Sequence, residues 1–160
     1  MAFGAPSIKG RALRYLGQRD HSRLELERKL ARHVEDRPDA SAKAQIAAAL
    51  DELSAHGLLD EARAAESVVR SHSARFGDRR LRQTLKSKGI DAELITSTLQ
   101  SAAASATMGT EIERARALWQ RRFGTLAADA RERAKHARFL IGRGFGGDAV
   151  RRVVQGIEDD

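Results

Sequence analysis

The residues of this chain that could do chemistry are mostly arginines and lysines, and what they can do is hold anions. Between Arg70 and Lys88 stand seven cations (Arg70, Arg75, Arg79, Arg80, Arg82, Lys86 and Lys88) and one acid, Asp78. Earlier come Arg19, Arg23, Lys29 and Arg32; later come Arg121, Arg122, Arg131, Arg133, Lys135, Arg138 and Arg143. The formal net charge is +7 over 160 residues. An excess of this kind points to a polyanionic partner. Each phosphate neutralised would release counterions, so such binding should fall steeply with salt. Aromatic residues make up only 4% of the chain, and Tyr15, Phe76, Trp119, Phe123, Phe139 and Phe145 mostly fall on apolar stripes. Stacking on bases or reading of their edges is therefore not expected.

Other chemistries find little support. No two of the five histidines (His21, His33, His56, His72, His136) lie three or four apart, so no helix presents a histidine pair to a metal. There is no cysteine, which removes disulfides, thiol catalysis and thiolate-bound zinc. Gly142-Arg143-Gly144-Phe145-Gly146-Gly147 has a dinucleotide-loop spacing, but a helix and not a strand is expected before it. It reads as a helix–helix turn. No catalytic residue, metal or cofactor is expected, and no apolar run reaches the ~18 residues of a membrane span. Met1 to Arg11 lacks the apolar run of an export signal, so the expectation is a cytoplasmic protein.

The elements that must position these cations are helices. Proline occurs twice, no stretch alternates like a strand, and Ala, Leu, Arg and Glu abound. Ile8, Ala12, Tyr15 and Leu16 keep helical spacing after a short leader. Ser22 with Glu25, Thr110 with Glu113 and Asp129 with Glu132 read as capping boxes. Asp60 and Asp91 read as N-caps. Ala65, Val68, Val69, His72 and Phe76 predict one apolar face that Gly77 ends. Leu81 and Leu85 give a short helix up to Gly89, and Ser101 to Gly109 reads as a linker. On the Leu81 helix, Arg79, Arg82 and Lys86 are three and four apart and share a face.

Nine helices are expected, and they group in threes. Leu26 and Leu30 shift by 55 positions onto Leu81 and Leu85, and by 55 again onto His136 and Leu140. Gly89-Ile90-Asp91 shifts likewise onto Gly144-Phe145-Gly146, and Ile95 and Leu99 onto Val150 and Val154. A shift of 49 brings Ile46 and Leu50 onto Ile95 and Leu99. The first group's internal loop, around Glu35 to Ala40, is thus six residues longer. Such periods predict stacked helical units, each too small for a large core of its own. The expected fold is all-α: three tandem three-helix modules (residues 1–59, 60–105 and 106–160) in an elongated, curved repeat.

Several stretches in order resemble the RecX family. Ala12-Leu13-Arg14-Tyr15-Leu16, Arg19, Ser22 and Glu25-Leu26-Glu27-Arg28-Lys29-Leu30 resemble its opening, as does Leu53 with Gly57-Leu58-Leu59-Asp60-Glu61. Gly77, Leu81, Leu85 and Lys88-Gly89-Ile90 resemble its middle; Phe139-Leu140, Arg143-Gly144-Phe145 and Val150 resemble its end. The resemblance implies a non-enzymatic regulator of the RecA recombinase. It implies binding in the groove of the RecA–DNA filament, with less filament growth, ATP hydrolysis and strand exchange. RecA, with weak and non-specific single- and double-stranded DNA binding, are the partners so implied, for a monomer. The contact candidates are Arg19, Arg23, Arg75, Arg79, Arg80, Arg82, Lys86, Lys88, Arg121, Arg122 and Arg143. His136 departs from the leucine expected there, which puts the third module's packing in question. Two other readings remain open: a helix-turn-helix transcriptional regulator, against which the scarcity of Asn and Gln on the basic helices counts, and a basic helical scaffold.

Overall fold

The computed structural model describes residues 6–157, so the leader expected before Ile8 lies largely outside the described residues. Among those described, nine α-helices follow one another with no strand: α1 (Ile8–Leu16), α2 (Arg23–Leu30), α3 (Ala42–Ala55), α4 (Glu61–His72), α5 (Asp78–Ser87), α6 (Ala92–Ala104), α7 (Glu111–Arg122), α8 (Ala130–Gly142) and α9 (Gly147–Gln155).

The caps explain where most of them start. Ser22 Oγ accepts the Glu25 amide at 3.2 Å while the Ser22 amide donates to the Glu25 carboxylate at 3.0 Å. Thr110 and Glu113 do the same at 3.2 and 2.6 Å. A cap of this kind contributes about 1 kcal/mol. The third expected box is only half formed. Asp129 accepts the Glu132 amide at 2.7 Å, but the Glu132 carboxylate takes the Ala128 amide instead of that of Asp129. Asp60 and Asp91 cap α4 and α6 through the Arg63 and Glu93 amides.

Two boundaries differ from the sequence expectation. Helix α4 ends at His72, so Phe76 lies in the following turn and not on its face. Ser71 Oγ donates to the Ser67 carbonyl within the last turn, a back-bond of the kind that slightly destabilises a helix. Conversely, α6 runs on to Ala104 through much of the expected linker, because Ala102, Ala103 and Ala104 are the strongest of helix formers.

Backbone contacts gather the chain into two units: the chain through Ala65 with Lys88–Ile90, and Glu66–Ser87 with the chain from Asp91 onward. In the first, α1, α2 and α3 enclose Ala12, Leu26, Leu30, Ile46, Leu50, Leu53 and Leu59. In the second, α7, α8 and α9 enclose Ala115, Leu118, Trp119, Leu140, Phe145, Ala149, Val150, Val153 and Val154.

The 55-residue repeat is visible in burial. Leu26, Leu30, Leu81, Leu85, His136 and Leu140 are all buried, as are Ile46, Leu50, Ile95, Leu99, Val150 and Val154. Gly89 and Gly144, one period apart, both take positive φ (77° and 86°), a conformation in which glycine has no steric penalty. Each is followed by a buried anchor, Ile90 or Phe145. His136 keeps its leucine's place by a different chemistry. Its Nδ1 accepts the Trp119 indole N–H at 3.2 Å, and Phe123 stacks on its ring with centroids 3.8 Å apart. A leucine there would leave that buried indole donor unpaired.

Candidate nucleic-acid interface

Helix α5 presents its cations as the spacing predicts. Leu81 and Leu85 are fully buried, whereas Arg79, Arg80, Arg82 and Lys86 are exposed. The second unit then brings more arginines to one aromatic ring. Phe76 is half-buried in the turn before α5 and stacks on His72 (centroids 6.1 Å apart). Around its ring lie three guanidinium groups: Arg75 at 5.9 Å, Arg80 at 5.7 Å and Arg143 at 5.9 Å. Arg143 also lies 5.4 Å from Phe139. Such cation–π contacts contribute about 0.5–1 kcal/mol each at exposed sites, and more when desolvated.

Backbone carbonyls steady two further members. Arg79 Nη2 donates to the Ile141 carbonyl at 2.9 Å, and Arg121 Nη2 to that of Ala74 at 3.0 Å. Arg82 reaches Thr96 Oγ1 at 3.3 Å, and Arg122 lies over the Phe123 ring at 5.9 Å. None of Arg75, Arg79, Arg80, Arg82, Lys86, Arg121, Arg122 or Arg143 makes an ion pair among the described residues. The nearby acid, Asp78, is held by Arg114 at 2.5 Å. The fan around Phe76 is therefore positive charge without a counterion among the described residues. Guanidinium forks held in this way suit phosphate oxygens.

Three of the eleven expected contact residues form ion pairs within the protein. Arg19 and Lys88 both pair with Glu25, at 2.9 and 2.5 Å. Arg23 pairs with Glu27 at 3.0 Å and Asp51 at 2.7 Å. Burial pushes the Glu25 carboxyl up, but hydrogen bonds from Arg19, Lys88 and the Ser22 amide outweigh it and hold it at about 2. A lowered folded-state value stabilises the fold above the ordinary 4.5, and that stability is lost as pH falls toward 2. We expect Glu25→Gln to cost at most about 3 kcal/mol at pH 7. In urea titrations the gap to the unaltered protein should close between pH 4.5 and 2; a gap that stays constant with pH would show that Glu25 is not the hub.

Sequence reasoning missed three residues that matter here. The spacing of Phe76 places it on a helix face, although its position inside the basic run is a signal for a platform. Glu111 and Arg114 carry no such local signal for a role at the basic face. Arg114 lies four residues before Leu118, on the apolar stripe of α7, and a cation there announces burial with partners. Its side chain is 6% exposed and donates to the Ser73 and Phe76 carbonyls at 3.1 and 2.9 Å. Among the described residues no group of three or more His, Asp or Glu is placed to hold a metal ion. Nor is any helix there long and apolar enough to cross a membrane.

Comparison with known proteins agrees with this architecture. Residues 60–99 match the family model described as RecX, second three-helix domain, and residues 110–154 match RecX, third three-helix domain. The chain is 52% identical over 157 residues to the regulatory protein RecX of Leptothrix cholodnii, covering 97% of this chain and 93% of that one. It is 44% identical to the regulatory protein RecX of Herminiimonas arsenicoxydans, with 96% and 95% covered. The crystal structure of RecX from Lactobacillus salivarius superimposes with a TM-score of 0.72 at 22% identity, over 94% of each chain, which supports the all-helical fold. With sequence likeness over nearly its whole length and helical domains in the matching order, the chain belongs to the RecX family of regulatory proteins, and is a regulator rather than an enzyme.

Proposed function

We propose that this protein binds a RecA–DNA filament in the cytoplasm and slows its growth, its ATP hydrolysis and strand exchange. The observation that carries the reading is the arginine fan on Phe76, continued by the exposed cations of α5. Its chemistry suits a phosphate backbone read without regard to sequence. Single- and double-stranded DNA are both taken, weakly, and the protein acts as a monomer. The three-helix groups, residues 1–59, 60–105 and 106–160, are the units that carry the contacts. Arg75, Arg79, Arg80, Arg82, Lys86, Arg121, Arg122 and Arg143 are the leading contact residues, because none has a counterion among the described residues. Arg19, Arg23 and Lys88 contribute less, because each already pairs with an acid of this chain.

A titration of this protein into RecA on single-stranded DNA, run at two salt concentrations, tests the reading. DNA-dependent ATP hydrolysis should fall at substoichiometric ratios, with a weaker effect at the higher salt. Undiminished hydrolysis at equal concentrations of the two proteins would overturn it.

A further inference from the structure

We infer that Glu111 is a positioning residue for the arginine fan: one carboxylate oxygen ties the start of α5 to the start of α9, and so sets Arg79 and Arg80 against Arg143. The inference rests on reading the fan as the anion-binding face. Glu111 Oε1 accepts the Asp78 amide at 2.8 Å and the Gly146 amide at 3.2 Å. Asp78 is the first residue of α5, and Gly146 is the N-cap of α9, whose side does not supply a cap of its own. Amides at helix starts have no partner within the helix, and negative charge is favoured beside them. One carboxylate thus completes two helix ends at once.

The surrounding bonds show what the tie holds in place. Gly77 N donates to the Arg143 carbonyl at 3.0 Å, and Arg79 N to the Gly144 carbonyl at 3.2 Å. From the next position on the same face of α7, Arg114 grips the Ser73 and Phe76 carbonyls and the Asp78 carboxylate. The first turn of α7 therefore fastens both turns that bear the fan, the one with Arg75 and Phe76 and the one with Arg143.

The same device recurs earlier in the chain. Glu61, the first residue of α4 as Glu111 is of α7, accepts the Arg23 amide at 2.5 Å. Arg23 opens α2 as Asp78 opens α5, one 55-residue period before it. An acid at the first position of a leading helix, bonded to the first amide of the preceding middle helix, is thus part of the repeat.

Three variants of the full chain test the inference. Glu111→Gln keeps the accepting oxygen, Glu111→Asp keeps the charge but withdraws it by a methylene, and Glu111→Ala removes both. Affinity for a single-stranded oligonucleotide is read by fluorescence anisotropy across a salt series, with helicity as control. Glu111→Ala and Glu111→Asp should bind about tenfold more weakly, with a salt slope smaller by about 0.7, the loss of one phosphate contact. Glu111→Gln should stay within about twofold of the unaltered protein at unchanged slope. If Glu111→Ala does not fold, Glu111→Asp decides. Unchanged binding by Ala or Asp, or a Gln variant as weak as those two, overturns the inference.

A separate readout keeps it distinct from the proposed function. If the unaltered protein binds no DNA, the reading of the fan fails, and spin labels at Gln83 and Gly142 then decide on positioning alone. A narrow distance distribution with Glu or Gln at 111, broadened by Ala or Asp, supports the tie. Equal widths in all of them overturn it.

Discussion

Charge reversal at Arg75, Arg80 and Arg143 together should weaken binding to single-stranded DNA by about a hundredfold or more at moderate salt, and lower the salt slope by about 2. Each of the three guanidinium groups lies within 6 Å of the Phe76 ring, and no carboxylate among the described residues pairs with any of them. The effect follows from contact geometry and not merely from net charge. A matched control makes that distinction. Arg131, Arg133 and Lys135 are exposed on α8, and reversing them changes the net charge by the same amount. That control should lose far less affinity, through long-range field alone, which salt screens within about 10 Å at 0.1 M. Equal losses in the two triple variants would mean that the fan has no special standing. Reversal of Arg79, Arg82 and Lys86 should fall between them, since Arg79 and Arg82 are partly engaged with Ile141 and Thr96.

Gly77→Ala should destabilise the protein by about 3–5 kcal/mol, the scale of removing a large aromatic side chain from a core. A Cβ at position 77 would fall 2.5 Å from the Gly144 carbonyl carbon and closer still to Phe145 N and Cα. These are backbone atoms and cannot rotate aside. Relief requires the Gly77 N to Arg143 O bond to open and fully buried Phe145 to retreat. The expected readout is a large drop in the urea midpoint with little change in its slope. Gly142→Ala is the comparison, because nothing lies within 4 Å of a Cβ built there. A Gly77→Ala protein as stable as Gly142→Ala would show that the close approach is not a constraint.

The helices could be read from the chain because their signals are local. Ser22–Glu25, Thr110–Glu113 and the leucines of α5 each carry their message within one or two turns, and burial at the 55-residue spacing matched the apolar repeat. The fate of individual cations could not be read in the same way. Lys88 and Arg79 are both basic residues of one short stretch, yet Lys88 meets Glu25 across 63 positions while Arg79 meets only a carbonyl. Which arginine is neutralised depends on acids brought in by folding, and the spacing of the cations holds no record of them. Phe76 went the same way. Its distance from Val68 and Val69 fits a helix stripe, but the helix ends four residues earlier, at His72.

The indole of Trp119, bonded to the His136 ring on which Phe123 stacks, has one more consequence. It is the only tryptophan in the chain, and it sits in the core made by α7, α8 and α9. Its intrinsic fluorescence is therefore a resident gauge of that core alone, silent about the core that α1, α2 and α3 enclose. Emission and far-ultraviolet dichroism followed side by side would tell whether this repeat melts in one cooperative step or in pieces.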